Sequence, residues 1–183
     1  MLRTELAGQI KAAAYLTGEF TLRSGLVSSF YWDKYRFESD PVLLQAVAAA
    51  LEGLLPPDYD RLAGLELGGI PLATALSLRT GKPALYVRKE AKTYGTCNLV
   101  EGGFRRGETA VIIEDVITSG GQVVASVEEV RALGLVVNDV VCVIDRQQGG
   151  AENIGAIGCS LSSVFTLDAL ERLAGDDPLA ASG

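Results

Sequence analysis

The stretch Val111-Ile-Ile-Glu-Asp-Val-Ile-Thr-Ser-Gly-Gly-Gln122 constrains the fold of this chain more than any other. The apolar run Ala110–Ile113 has the β-branched character of a strand buried on both faces. It ends in two adjacent carboxylates, Glu114 and Asp115, and the polar turn Thr118-Ser-Gly-Gly121 follows. Behind the turn, Val123, Val127 and Val130 recur at helical spacing, and Gly134 is placed to end that helix. The order is strand, acidic corner, glycine loop, helix. Backbone N–H groups of Ser119, Gly120, Gly121 and Gln122 would project from the helix N-terminus, where an anion is favoured. Glycine lets the backbone approach a phosphate closely. The carboxylates repel a phosphate, but suit ribose hydroxyls, a developing positive charge or a magnesium ion. Phosphate at one end and carboxylates at the other fit a sugar phosphate.

The rest of the chain alternates in the same way. Arg61–Glu66 reads as a strand, Pro71–Thr80 as a helix and Pro83–Val87 as a strand. Thr109–Ile113 is a strand, Gly121–Leu133 a helix and Val140–Ile144 a strand. Such alternation implies an α/β fold, a parallel sheet with helices on both faces. Ser160–Phe165 adds a strand and Thr166–Leu173 a last helix. Upstream, Leu2, Leu6, Ile10 and Ala13 share one face of a first helix. Phe20–Gly25 and Ser28–Tyr35 read as the arms of a hairpin. Asp40-Pro41 starts a helix, with the acid as cap and proline first, and Pro56-Pro57 stops it. Arg88–Gly107 is expected as a long loop or extended hairpin, and Gly175–Gly183 as a frayed tail. With 183 residues, one domain spanning 1–183 is the expectation. The candidate site residues fall at the C-terminal ends of strands, where open α/β sheets bind ligands.

Composition excludes several functions. The net charge of −7 and pI near 4.7 argue against nucleic acid as a partner. There is no histidine, which removes Ser-His-Asp, Cys-His and histidine-ligated zinc mechanisms. The cysteines Cys97, Cys142 and Cys159 have no Cys-x-x-Cys spacing, so neither a zinc site nor a disulfide framework is expected. Cys142, in an apolar run, reads as a core residue. No apolar run reaches bilayer length, and Arg3, Glu5 and Lys11 interrupt any signal-peptide pattern. A cytoplasmic protein with no membrane association is expected.

Three further stretches carry chemistry. Arg88-Lys-Glu-Ala-Lys-Thr-Tyr94 places three cations within five residues directly after a buried strand. Alone it reads as a solvated loop; in an acidic protein it also suits a pyrophosphate leaving group. Gly64-Leu-Glu-Leu-Gly-Gly-Ile-Pro71 reads equally as a plain strand-to-helix turn and as an anion loop. Asp145-Arg146 follows the strand Val140–Ile144, and a guanidinium at a strand end suits a planar carboxylate or carbonyl edge. Tyr31 and Trp32, taken alone, read as packing aromatics.

Together these stretches resemble type I phosphoribosyltransferases, from about Phe20 to Gly150. The acidic corner and glycine loop resemble that family's motif for phosphoribosyl pyrophosphate (PRPP). The loop Tyr86–Gly95 resembles the mobile catalytic loop of the orotate-specific members. The resemblance implies a Rossmann-like parallel sheet with a small N-terminal hood (residues 1–40) and a mobile catalytic loop. It implies PRPP binding by Arg23, Arg88, Lys89, Lys92, Tyr94 and the run Glu114, Asp115, Val116, Ile117, Thr118, Ser119, Gly120, Gly121 and Gln122. Orotate would be bound by Tyr31, Trp32, Thr118 and Arg146. Catalysis would fall to Asp115, Glu114, Lys92 and Arg88, with magnesium brought by PRPP rather than held by protein ligands. The family also implies a homodimer whose loop residues cross the interface. Arg23 stands where the family usually has lysine, Tyr94 where it usually has histidine, and Gly68 where many members carry lysine. A phosphoribosyltransferase for another base, such as a purine, and a non-catalytic PRPP or nucleotide sensor are the alternatives.

Overall fold

The computed structural model describes residues 1–21, 25–90 and 99–175. Arg23, Lys92, Tyr94 and Cys97 lie outside the described residues, as does 176–183. The chain opens with α1 (Arg3–Ala14), then the hairpin β1 (Tyr15–Thr21) and β2 (Val27–Trp32), which pair antiparallel as a separate two-stranded sheet. A short helix α2 (Tyr35–Ser39) leads into α3 (Pro41–Glu52). The Asp40 carboxylate caps α3, accepting the Val42 and Leu43 amides at 2.9 Å each, an interaction worth about 1 kcal/mol. Proline follows at the first helical position, where no donor is missed.

The strand–helix alternation then runs β3 (Arg61–Leu65), α4 (Gly69–Thr80), β4 (Ala84–Val87), β5 (Val100–Glu101), β6 (Thr109–Ile117), α5 (Gly121–Ala132), β7 (Val136–Asp145), α6 (Gly150–Ala156), β8 (Ser160–Thr166) and α7 (Leu167–Gly175). These strands form one sheet in the order β5-β4-β3-β6-β7-β8, parallel except for the two-residue edge strand β5. Of the stretch Arg88–Gly107, expected as a long loop or extended hairpin, the described residues contribute β5, which pairs with β4 just ahead of that stretch. Helices α1, α3, α4 and α7 cover one face around Leu62, Leu72, Leu76 and Phe165. Helices α5 and α6 cover the other around Ile112, Val127, Val130 and Ile154. Burial on both faces explains the unbroken apolar runs of the central strands. Each fully buried leucine or isoleucine contributes roughly 1.5–3 kcal/mol. Cys142 is a core residue, and it and Cys159 are buried free thiols.

Several boundaries differ from the pattern reading. Leu2 precedes α1 and is exposed rather than part of its buried face. α3 ends at Glu52, before the proline pair; Leu54 and Leu55 still pack on the core from beyond the helix. α4 opens two residues before Pro71, which sits in the first turn where no intrahelical bond is lost. Gly175 ends α7 instead of fraying. β6 does not stop at Ile113: Glu114, Val116 and Ile117 pair with Cys142, Ile144 and Asp145 of β7. The apolar length of β7 carries the ladder through the acidic pair, so these acids stand within a strand.

The turn between β3 and α4 is sealed by absent side chains. A Cβ on Gly64 would lie 2.4 Å from the Gly69 carbonyl oxygen, and one on Gly69 would lie 2.2 Å from that of Ile113. One on Gly68 would meet the Asp115 carboxylate at 1.7 Å. Close approach of backbone to backbone is what these glycines supply.

Candidate active site

A cavity of about 520 Å³ opens at the C-terminal ends of β3, β6 and β7, the ligand side of a parallel sheet. Its floor is the run Thr118, Ser119, Gly120, Gly121, Gln122 and Val123. Gly120 has φ +74°, the left-handed conformation that reverses the chain out of β6 and into α5. Amides of this turn therefore face solvent space at a helix N-terminus, a ready anion site. Glu114, Val116, Ile117, Thr118, Ser119, Gly120, Gly121 and Gln122, all anticipated from sequence, line this one cavity. Lys89 and Arg146 do so as well, the latter from the end of β7.

Asp115 behaves differently. Neighbouring residues of a strand point to opposite sides, and only Glu114 of the pair lines the cavity. Asp115 is fully buried, with Lys34 Nζ 2.9 Å from Oδ1 and 2.7 Å from Oδ2. Lys34 lines the cavity, so its ammonium stands between Asp115 and the ligand space. Glu38, one helical turn after Lys34, is also buried, with its carboxyl beside that of Asp115. The cluster is thus three acids around one lysine. Burial raises the Asp115 carboxyl, but the Glu114 carboxyl and the Lys34 ammonium outweigh it and hold Asp115 below the usual aspartate range. Burial, and then Asp115, push Glu38 up to about 9 and Glu114 well above the ordinary glutamate value. Burial works to lower Lys34, yet Asp115 keeps it above the ordinary lysine value. At neutral pH Asp115 and Lys34 are charged, and Glu38 holds its proton.

The cavity consequently presents the three cations Lys34, Lys89 and Arg146 against Glu66 and Glu114, the latter with its carboxyl pushed up by burial. That is a local cationic surface in a chain of net charge −7, suited to a polyanion. Glu66 also accepts the Lys89 amide at 3.0 Å, tying the β3 end to the start of the basic loop.

Besides Asp115, two further expected residues among those described do not line the cavity. Tyr31 alternates with Trp32 along β2, so only Trp32 reaches it. Tyr31 is 45% exposed and packs against Phe20 with ring centroids 5.6 Å apart. Arg88 turns to Glu101 on β5, Nε to Oε1 3.2 Å, because the antiparallel pairing of β4 and β5 brings them together. Lys34 and Glu38 were absent from the sequence reading of the site. Their spacing of four residues is the only signal, and it resembles an ordinary surface helix pair.

A strand carrying adjacent acids, a glycine turn and a helix at the carboxyl end of a parallel sheet, with cations converging on one cavity, defines the type I phosphoribosyltransferase class. No protein-family model matches the chain. The orotate phosphoribosyltransferase of Nocardioides sp. is 51% identical over 165 residues, 90% of this chain and 92% of that protein. A crystal structure of Mycobacterium tuberculosis orotate phosphoribosyltransferase in complex with Fe(III) dicitrate has a TM-score of 0.83 at 33% identity. The match covers 92% of this chain and 98% of that one. The same mycobacterial protein in complex with PRPP gives 0.78 at 31% identity, over the same shares of the two chains. The chain belongs to the orotate phosphoribosyltransferase family.

Proposed function

We propose that this protein transfers ribose 5-phosphate from PRPP to orotate, giving orotidine 5′-monophosphate and pyrophosphate for pyrimidine synthesis. The observation that carries this reading is the single cavity joining the glycine loop to Arg146 and to cations on two further walls. Thr118–Gln122 take the 5′-phosphate through their amides. Arg146 pairs with the orotate carboxylate, and Thr118 and Trp32 help to orient the ring, so that its nitrogen meets the anomeric carbon. Glu114 takes the ribose hydroxyls from the cavity wall. Asp115 joins it when Lys34 turns its ammonium toward the anionic substrate. The freed carboxylate then favours positive charge at the anomeric carbon. Lys89 and the other cations of the basic loop, Arg88 and Lys92, offset the charge on departing pyrophosphate, Tyr94 adds a hydrogen bond to a phosphate oxygen, and Arg23 contributes from the N-terminal region. No histidine is needed, since the steps rely on positioning and electrostatics.

Magnesium fits as an ion carried by PRPP. It keeps several waters and binds through one or two carboxylates plus substrate phosphates. The cavity carboxyls Glu66 and Glu114 would meet it through its waters, the ion itself arriving on PRPP. Among the described residues, no group of three His, Cys, Asp or Glu side chains is placed to hold a metal. Bound there, it would neutralise part of the diphosphate charge. A homodimer with Lys92 serving the neighbouring subunit belongs to the same proposal. The exposed apolar residues Leu26, Val27, Phe30 and Tyr31 of the β1–β2 hairpin support an interface.

The test is direct. Protein, PRPP and magnesium are mixed with orotate, uracil, hypoxanthine or xanthine, and base consumption is followed. Orotate alone should be consumed, mole for mole with PRPP. Turnover of a purine would favour the other-base reading, and tight PRPP binding without turnover the sensor reading.

A further inference from the structure

We propose that Asn153 is a positioning residue for the phosphate end of the site, acting through the Ser119–Gly120 peptide. The inference rests on the reading that Thr118–Gln122 hold the 5′-phosphate. Asn153 Nδ2 donates to the Ser119 carbonyl at 2.8 Å from the first turn of α6. In a trans peptide the C=O and N–H point in opposite directions. Drawing the Ser119 carbonyl toward α6 turns the Gly120 N–H the other way, toward the cavity that Gly120 lines and Asn153 does not. This peptide is the one that most needs holding. Gly120 is the left-handed residue of the loop, and the lack of a Cβ leaves its backbone freer than that of Thr118 or Ser119.

The helix that carries Asn153 is seated directly on the loop. A Cβ on Gly150 would lie 2.8 Å from the Thr118 carbonyl oxygen and 2.6 Å from Ile117 Cγ2. One on Gly120 would lie 3.3 Å from Gly150 Cα. Gly149, at φ +89°, makes the bend that brings α6 there, and its carbonyl accepts the Asn153 amide at 3.1 Å. The same turn begins with Arg146, whose N–H donates to the Ile117 carbonyl at 2.9 Å. One short segment therefore has the base-side arginine at its start and the strut for the phosphate loop at its end. A side chain that merely stabilised this segment would affect both substrates. A side chain that orients the Gly120 amide affects PRPP alone.

Steady-state kinetics on Asn153→Ala, Asn153→Asp and Gly121→Asp separate these outcomes, varying each substrate at saturating levels of the other. One hydrogen bond of this kind corresponds to roughly a three- to tenfold change. Asn153→Ala should raise the KM for PRPP three- to tenfold, with kcat and the KM for orotate within twofold of wild type. Asn153→Asp keeps the shape but sets an acceptor against the carbonyl, so its effect on PRPP should be at least as large. Gly121→Asp puts a negative charge in the loop and should weaken PRPP regardless of Asn153. If Gly121→Asp weakens PRPP but both Asn153 variants leave it within 1.5-fold, the strut has no positioning role. If the Asn153 variants raise both KM values together, the residue only stabilises the turn and the proposal is overturned. If none of the three changes PRPP, the loop is not the phosphate site and the underlying reading fails with it.

Discussion

Replacing Lys34 by methionine keeps the aliphatic stem and removes the ammonium that touches the buried Asp115 carboxylate. Deleting one partner of a buried ion pair costs about 3–5 kcal/mol. The Lys34 side chain is 35% exposed, so water reaches the pair from the cavity and the lower end applies, about 3 kcal/mol. Asp115 has one escape, which is to take a proton. Protonating an aspartate with an ordinary value near 3.9 costs about 1.4 kcal/mol per pH unit above it, roughly 4 kcal/mol at pH 7. At pH 7 the unpaired charge is the cheaper state, and the expected loss of stability is about 3 kcal/mol. Below about pH 6 the protonated state becomes cheaper, and the loss shrinks to under about 1 kcal/mol near pH 4.5. In the wild type Asp115 is held below its ordinary value. Its contribution is therefore present throughout that range and lost only in stronger acid. Urea unfolding of both proteins at pH 4.5, 5.5, 7 and 8 should give stabilities that converge in acid and separate to a plateau above pH 6. A loss below about 1 kcal/mol at pH 7, or one equal at pH 5 and pH 8, would refute the reasoning.

Glu38→Gln should act in the opposite direction. Folded Glu38, at about 9, keeps a proton that the unfolded chain releases above about 4.3, so it subtracts stability increasingly as pH rises between those values. The variant should melt higher than wild type at pH 8 and differ little at pH 5; a Tm gap that does not widen with pH counts against the buried, protonated assignment. Arg146→Ala should weaken orotate about ten- to a hundredfold, the worth of a charge-assisted pair, with PRPP affinity nearly unchanged by calorimetry. Unchanged orotate affinity would remove Arg146 from the base site. Asp115→Asn and Lys92→Ala should each be nearly inactive alone, yet regain part of the activity when unfolded and refolded together, if Lys92 serves the partner subunit. Hybrid dimers that form and stay inactive would exclude that arrangement.

The units β3–α4–β4 and β6–α5–β7 were readable because their apolar residues repeat at strand or helix spacing over lengths that exclude alternatives. α2 and α6, of five and seven residues, are too short to establish a 3.6-residue period. The glycine loop and Arg146 could be placed because strand ends fix where these residues emerge. Which acid faces the ligand could not, since that depends on a ladder running past Ile113 and on what stands opposite. Lys34 and Glu38 meet Asp115 only through the docking of α2, 81 residues away from Asp115 in the case of Lys34. Nothing local in the Lys34–Glu38 spacing distinguishes a buried cluster from a solvated pair. Of the adjacent aromatics Tyr31 and Trp32, a strand can turn only one inward.

The glycine at position 68 has a bearing on how such a site can change over generations. Because a Cβ there would lie 1.7 Å from the Asp115 carboxylate, no side chain can enter unless Asp115 is rehoused, and rehousing Asp115 undoes its pairing with Lys34. A lysine at position 68 would have to displace the Asp115 carboxylate from where it now stands. That displacement would loosen the contact that Lys34, at the head of α2, makes with Asp115 of β6. Positions 34, 68 and 115, far apart in the chain, are bound to one another as a single inherited choice.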